Sequence, residues 1–529
     1  MAGLASPVAN AEAPAAAAIS TAAEAPAASP PPGGSPDAPE PGHHPAAGRH
    51  ALRAAAGDRL ARLRTTPGKV RLLVVGSVAG AALLAAVVAV TFGGVAGGVS
   101  AIGGTDAPEV TASTGLYFSL NDMDAQVANM LLAADYPALA PYRSQYLATY
   151  DADRASAYGD LQQAAVTAAG NPAAERQLRQ VLNDTGQYEA LAAEALLASQ
   201  QTAGTTPRAG GRPAAGSQAD TYYRQATDLM RTGILPLVSS LTTVSTARLD
   251  ASYSAGRSDA GTGEAVTAAA GVVLIGALAG FQVFLTRRFR RRVSPPLAAA
   301  ILIAVVLAGT ATARLGAESG HLQVAKQDAF DSIVALSQAR AVSYEANADE
   351  SRYLADPGRA AQYQQSFLSE SQQLASVAAV PLSGYEPALA ADFSAWQASH
   401  ADVKFGGYLG AEFRNITFPG EQAAAVAALK AYLKYEQDDH VLRTLNVTSP
   451  QAAASYDTSA QPGQSDWAFT QYDKALTGVI ALNRRAFTTA IAAGQGGASG
   501  WTGLIPAGGA LVIAVLVLLA ARPRLAEYR

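Results

Sequence analysis

Residues 343–354 read Ser343-Tyr344-Glu345-Ala346-Asn347-Ala348-Asp349-Glu350-Ser351-Arg352-Tyr353-Leu354, the densest run of polar and aromatic side chains in the long connections of this chain. On a helix Asp349 and Arg352 are three apart and Glu345 and Asp349 four apart, so they share one surface. One reading is a docking surface for a ligand or partner protein, built from Tyr344, Asn347, Asp349, Glu350 and Arg352. The other is a solvated face with a buried Asn347 fixing helix register. Asp122 and Asp124 form a second candidate docking pair near the start of an earlier helix. Helix N-termini favour carboxylates through the helix dipole, which is the plainer account of that pair. Catalytic carboxylates are a third possibility for residues 345–350, but no nucleophile or histidine is placed with them, so no catalytic residue and no enzyme is expected.

The absence of cysteine excludes thiol nucleophiles, thiolate zinc sites and disulfides. His321, His400 and His440 are too scattered for a metal site, and the His43-His44 pair has no carboxylate or cysteine arranged beside it. No metal and no cofactor is therefore expected. Trp396, Trp467 and Tyr408 could line a groove, although aromatic residues at helical spacing more often belong to a core. The sequons at Asn415 and Asn446 read as chance.

Four apolar stretches must carry these groups, and the charges around them set an orientation. Arg59, Arg62, Arg64, Lys69 and Arg71 precede or open the first; Arg287, Arg288, Arg290, Arg291 and Arg292 lie between the second and third; Arg522, Arg524 and Arg529 follow the fourth. Lys and Arg stay on the cytoplasmic side of short loops, and all these clusters fall on one side if all four stretches span. The expected fold class is thus an all-α membrane protein of the plasma membrane, with four transmembrane helices and two extracytoplasmic helical bundles. The expected order is a disordered cytoplasmic tail (1–68), transmembrane helix 1 (69–93), bundle 1 (105–263), helix 2 (264–286), a basic cytoplasmic loop (287–296), helix 3 (297–313), bundle 2 (314–500), helix 4 (501–521) and a cytoplasmic tail (522–529). Both termini lie inside. The tail is Ala-, Pro-, Gly- and Ser-rich and cannot bury enough apolar area to offset its ordering entropy. Trp501 and Tyr528 read as interface anchors. Residues 105–263 carry a net charge of −6 and 315–500 a net charge of −7, against +5 for the loop 287–292. That distribution argues against nucleic acid and for anionic lipid at the inner face.

The connections are helical in character, with candidates at 139–168, 172–200 and 219–252, then at 359–379, 385–405, 420–445 and 464–493. Residues 201–218 and 446–465 read as loops. No proline interrupts 297–356, which predicts one long helix leaving the membrane and stopping at Pro357. The stretch Leu116–Tyr136 is similar, but Gly103-Gly104 and Pro108 are expected to break its link to the first span. Each half reads span, bundle, span. Asn121-Asp122-Met123-Asp124 resembles Ala346-Asn347-Ala348-Asp349, and Thr232-Gly233-Ile234-Leu235-Pro236-Leu237 resembles Thr477-Gly478-Val479-Ile480-Ala481-Leu482, so a tandem duplication is expected. The spans hold no charge in their interiors, which argues against transport by this chain alone.

The periodic bundles between paired spans resemble the four-helix-bundle sensor domains of bacterial chemoreceptors and sensor kinases. The four-span layout, the Arg-rich middle loop and residues 344–354 more closely resemble actinobacterial membrane proteins of the GlnX type. That resemblance implies signal relay between a glutamine-binding lipoprotein outside and a serine/threonine kinase inside, without an output domain in the chain itself. The expected function is transmembrane relay from an amino-acid-loaded extracytoplasmic solute-binding lipoprotein to a cytosolic serine/threonine kinase. The bilayer and a second copy of the chain, as a homodimer, are further expected partners. The alternatives are a scaffold of the cell envelope and an accessory subunit of an amino-acid importer. A relay needs a rigid connection from span three into the bundle; a flexible break near Arg314–Gly320 favours a scaffold.

Overall fold

Apolar residues occupy every face of the span segments, which suits helices that meet each other on one side and lipid on the other. The computed structural model describes residues 66–169, 171–202, 217–289, 293–400 and 402–526. The tail up to residue 65, Arg290, Arg291, Arg292, Tyr528 and Arg529 therefore lie outside the described residues. Among those described, every regular element is helical.

Helix α1 (Thr66–Ala101) passes through a π-turn (Ile102–Asp106) into α2 (Ala107–Asp135). A 3-10 turn at Pro137–Tyr142 leads to α3 (Arg143–Thr167), then α4 (Pro172–Thr202). Helix α5 (Gln218–Leu229) passes through a second π-turn (Met230–Ile234) into the 55-residue α6 (Leu235–Phe289). Helix α7 (Pro295–Gln323) passes through a third (Val324–Phe330) into α8 (Asp331–Ala355). Then come α9 (Ala360–Leu374), α10 (Leu382–Ser399), α11 (Gly407–Arg414), α12 (Glu421–Thr448), α13 (Pro450–Asp457), α14 (Ser465–Ala498) and α15 (Leu504–Ala526).

The helix expected to break at Gly103-Gly104 and Pro108 does not break. Proline lacks an N–H and its ring strikes the carbonyl four residues back. Here the Ala107 N–H bonds to the Ile102 carbonyl, five residues back, in the turn just before Pro108. Leu235 bonds in the same way to Met230 just before Pro236. The wide turn admits the ring and the helix continues. The third π-turn has no proline. It carries Lys326, buried, whose Nζ lies 2.7 Å from Asp250 of α6 and also pairs with Asp331. Helix α7 runs unbroken through Arg314–Gly320, as expected of residues 297–356. The loop expected at 446–465 contains α13, capped by the Ser449 hydroxyl on the Ala452 N–H.

Four helices are long and apolar enough to cross a membrane, which suits a multi-pass membrane protein. They form a ring in which α1 neighbours α6, α6 neighbours α7, α7 neighbours α15 and α15 closes on α1. Leu84, Val88, Phe92, Leu274, Leu278, Leu307 and Ile513 fill its centre. Leu83, Val90, Val272, Leu302 and Leu511 point outward and are 62, 76, 70, 64 and 66 % exposed, a surface for lipid tails rather than water. Trp501 is not an outward anchor: it is buried and stacks on Phe92 at 5.3 Å.

Beyond the spans the two long connections share one body instead of standing apart. Helix α2 packs along α8. Leu354, Ala355, Leu442, Ala453 and Ala454 from the second connection enter the apolar cluster built on Leu116, Leu120, Met123, Tyr188 and Tyr223 of the first. A further cluster around Phe367, Tyr385, Trp396, Tyr432 and Tyr472 belongs to the second connection.

Candidate functional site

Helix α8 brings Asp349 and Arg352 to one face, as their three-residue spacing requires, and that face is turned into α2, α4 and α5. Arg352 is 0 % exposed, as are Asp124 and Asp349. Its Nε and Nη2 donate to Asp124 Oδ2 and its Nη1 to Asp349 Oδ1, the first at 3.0 Å and the other two at 2.5 Å. Asp124 also accepts from Tyr188 Oη of α4 at 3.0 Å and from Thr227 Oγ1 of α5 at 3.1 Å. One carboxylate thus gathers donors from three other helices. Burial opposes the Arg352 charge, but Asp124 and Asp349 outweigh it and hold the guanidinium pKa well above its usual value. Burial raises the Asp349 carboxyl against the pull of Arg352 and Arg231.

Arg231 extends this network from the second π-turn. It donates to Ser366 Oγ at 2.7 Å and lies 3.6 Å from carboxylate oxygens of Glu345, Asp349 and Glu370. Glu345 accepts from Tyr117 Oη of α2 at 3.0 Å. Burial holds Glu370 well above the usual carboxylate range, with Asp349 and Glu345 adding to it. Arg224 and Arg359 tie the ends of α5 and α8 together by pairing with Asp356 and Asp228.

The remaining candidates lie around this clamp. Glu350 is 0 % exposed and accepts from Ser465 Oγ at 3.3 Å and Asn347 Nδ2 at 3.4 Å. Asn347 is itself half-buried. Ser351, beside Glu350, has its hydroxyl 2.8 Å from Asn129 Oδ1 and 3.0 Å from Asp457 Oδ2. Tyr344 stands edge-on to Phe118 and Phe469, and Arg340 covers the Phe118 ring at 4.0 Å while gripping Asp473. Asp122 accepts from Gln126 at 2.8 Å. Asp153 of α3 is raised to about 8 by burial first and by the Asp122 charge second.

The structure therefore brings Asp124, Asp349 and Arg352 into direct contact, with Glu350 and Tyr344 on adjacent faces and Asp122 on the α3 side. Most of these side chains are interior. Reading the sequence missed Arg231, Tyr188, Thr227 and Glu370, whose partners lie on other helices. The signal nearest to hand was Arg231 standing directly before the Thr232–Leu237 motif. Arg287 and Arg288 end α6 close to the start of α1, where Arg288 Nη2 lies 3.3 Å from Thr66 Oγ1.

Among the described residues no three Asp, Glu or His side chains are grouped to hold a metal ion. No curated protein and no solved structure matches this chain. Residues 98–254 match the family model of an actinobacterial sensor domain. The matched stretch runs from the end of α1 into α6 and supplies Asp124, Tyr188, Thr227 and Arg231, while Asp349 and Arg352 come from outside it. That match, with four helices long and apolar enough to cross a membrane, supports a sensor-like actinobacterial protein with a role in sensing or signalling.

Proposed function

We propose that the chain relays a signal across the plasma membrane, with the helical body outside the cell and both termini and the basic 287–292 loop in the cytoplasm. The charge placement supports that orientation, because Lys69, Arg71, Arg287, Arg288 and Arg522 all sit at the end of the ring away from the body. The observation that carries the reading is the Arg352 clamp. It joins Asp124, on the helix continuous with span one, to Asp349, on the helix continuous with span three. Any event that moves α2 against α8 then moves two spans, the small helix shift by which packed interfaces switch.

The input in this proposal is an amino-acid-loaded solute-binding lipoprotein seated on the outer body, and the output is a cytosolic serine/threonine kinase met by the basic inner face. That is the GlnX-type arrangement, and the relay performs no catalysis of its own. The likeness of residues 121–124 to 346–349 supports a duplicated unit, each copy giving one aspartate to Arg352. Continuity through Arg314–Gly320 favours relay over a passive scaffold.

The test is a pull-down from solubilised membranes with glutamine, glutamate or aspartate as the variable, followed by phosphorylation of the recovered kinase. Recovery of an exterior lipoprotein that changes with the amino acid, and kinase phosphorylation that disappears when 105–263 and 315–500 are deleted, is expected. Phosphorylation that follows nutrient supply equally well after the deletion overturns the relay.

A further inference from the structure

A cavity of about 660 Å³ opens between α8, α9, α10 and α12, with Tyr353, the chain neighbour of Arg352, in its wall. Its volume suits a small organic ligand and is far larger than an inorganic ion needs. Leu382, Pro387 and Val447 give it apolar walls, and Glu436 and Asp439 line it with carboxylates. Glu436 is 4 % exposed and Asp439 2 %.

The charge around this cavity does not balance. Asp438 is covered by Lys434 and by the Tyr456 hydroxyl at 2.7 Å. Among the described residues, Glu350, Glu436, Asp439 and Asp457 share one buried cation, Arg443, which acts on each of them, while Glu436 Oε1 also accepts from Tyr432 Oη at 2.6 Å and Ser371 Oγ at 2.9 Å. Arg443 is already committed. Its Nε donates to Asp439 Oδ2 at 2.8 Å, its Nη2 lies 2.7 Å from Oδ1, and its guanidinium stacks on Tyr353 at 4.7 Å and Phe367 at 5.0 Å. Burial pushes Glu436 and Asp457 up to about 8 each, with neighbouring carboxylates adding to the effect. Uncompensated buried carboxylates either hold protons or take a positive charge from a ligand. Glu386 and His440 also line the cavity, nearer its exposed rim. The carboxylates do not form a metal-holding group.

We propose that this cavity binds a small organic ammonium, its charged head against Glu436 and Asp439 and its hydrocarbon body along Leu382, Pro387 and Val447. Occupancy would be felt at the clamp, because Tyr353, which stacks on Arg443, is the neighbour of Arg352 on α8. The signalling consequence rests on the sensing role argued above; the binding itself does not. Glu436 holds a proton near neutral pH in the empty cavity and must release it to face an ammonium.

The experiment is calorimetric titration of the full chain in detergent with cadaverine, against 1,5-pentanediol and glutarate as neutral and anionic chains of the same length. Saturable cadaverine binding is expected, with no binding of the other two. E436Q should weaken it at least 10-fold, and T444W, which fills the cavity from its exposed wall without removing an acid, should abolish it. At pH 7 the heat should vary with the ionisation enthalpy of the buffer as the Glu436 proton leaves. Failure of cadaverine to bind, glutarate binding as well as cadaverine, or binding undiminished in both variants overturns the proposal. None of these readouts involves a kinase, so loss of the relay reading alone would leave them unchanged.

Discussion

Two arginines lie deep in the same helical body and are treated oppositely by their surroundings. Arg352 meets two carboxylates, one of them further saturated by Tyr188 and Thr227 and the other shared with Arg231, and its side chain is fully buried. Arg443 meets four carboxylates, contacts one of them directly, and borders an open cavity. The first arrangement is closed to solvent and holds helices together. The second is short of positive charge, and its electrostatics can be completed from outside. A latch and a receptor site can thus be built from the same residue types, and whether the buried ion pairs border an open cavity decides which one results.

Breaking the latch should have the largest effect. R352M leaves Asp124 buried without the cation that pairs with it and Asp349 with Arg231 alone, 3.6 Å away, and stranding a buried ion costs about 3–5 kcal/mol. A lower melting temperature of the purified chain and faster proteolysis of the body are expected. The triple variant D124N/R352M/D349N removes the charges together and should recover more than half of the loss. Equal loss in the single and triple variants would mean that Arg352 contributes packing and not charge pairing.

The unbalanced site should instead announce itself through pH. Glu436 and Asp457 keep their protons in the folded chain up to about 8, whereas in the unfolded chain carboxyls ionise near pH 4. Above pH 4 the unfolded state binds fewer protons, so stability falls as pH rises towards 8, by at most roughly 1.4 kcal/mol per pH unit for each group. The melting temperature of the ligand-free chain should therefore drop between pH 5 and pH 8. E436Q and D457N should each flatten that slope, and cadaverine should restore stability at the alkaline end. A slope unchanged by both substitutions would place the titrating groups elsewhere.

Much of the architecture could be read from residues 66–526 because long apolar runs bounded by arginine have few alternatives. The continuity of α7 and α8 was legible in the lack of proline from 297 to 356. The continuity of α1 and α2 was not, since Gly103, Gly104 and Pro108 are ordinary helix breakers and only the backbone shows that a wide turn absorbs the ring. Asp124, Asp349 and Arg352 could be singled out by type and spacing. Their mutual contact could not, because 228 residues separate Asp124 from Arg352 and alanine on every face of these helices blurs the distinction between inside and outside. Arg231 was marked only by standing directly before the Thr232–Leu237 motif, and Glu370 gave no local sign, since each finds its partners on helices distant in sequence.

Pro236 offers the finest cut at the latch. It sits two residues beyond the end of the π-turn that carries Arg231, and a regular helix there would drive its ring into the Thr232 carbonyl. Removing the ring removes the reason for the wide turn. A π-turn holds one residue more than the helix it interrupts, so its closure would rotate Arg231 by roughly 100° about the axis. The packing of Tyr223 and Thr227 opposes that rotation, so P236A should change stability by no more than about 1 kcal/mol. The change should show instead in the coupling between Arg231 and Ser366. A charged hydrogen bond of this kind is worth about 1.5–3 kcal/mol, and the R231A/S366A cycle should report a measurable part of it in the parent chain and less than half as much in the P236A background. Equal coupling in both would show that side-chain packing alone aims Arg231 at α9, and that the proline is tolerated by the π-turn without being its cause.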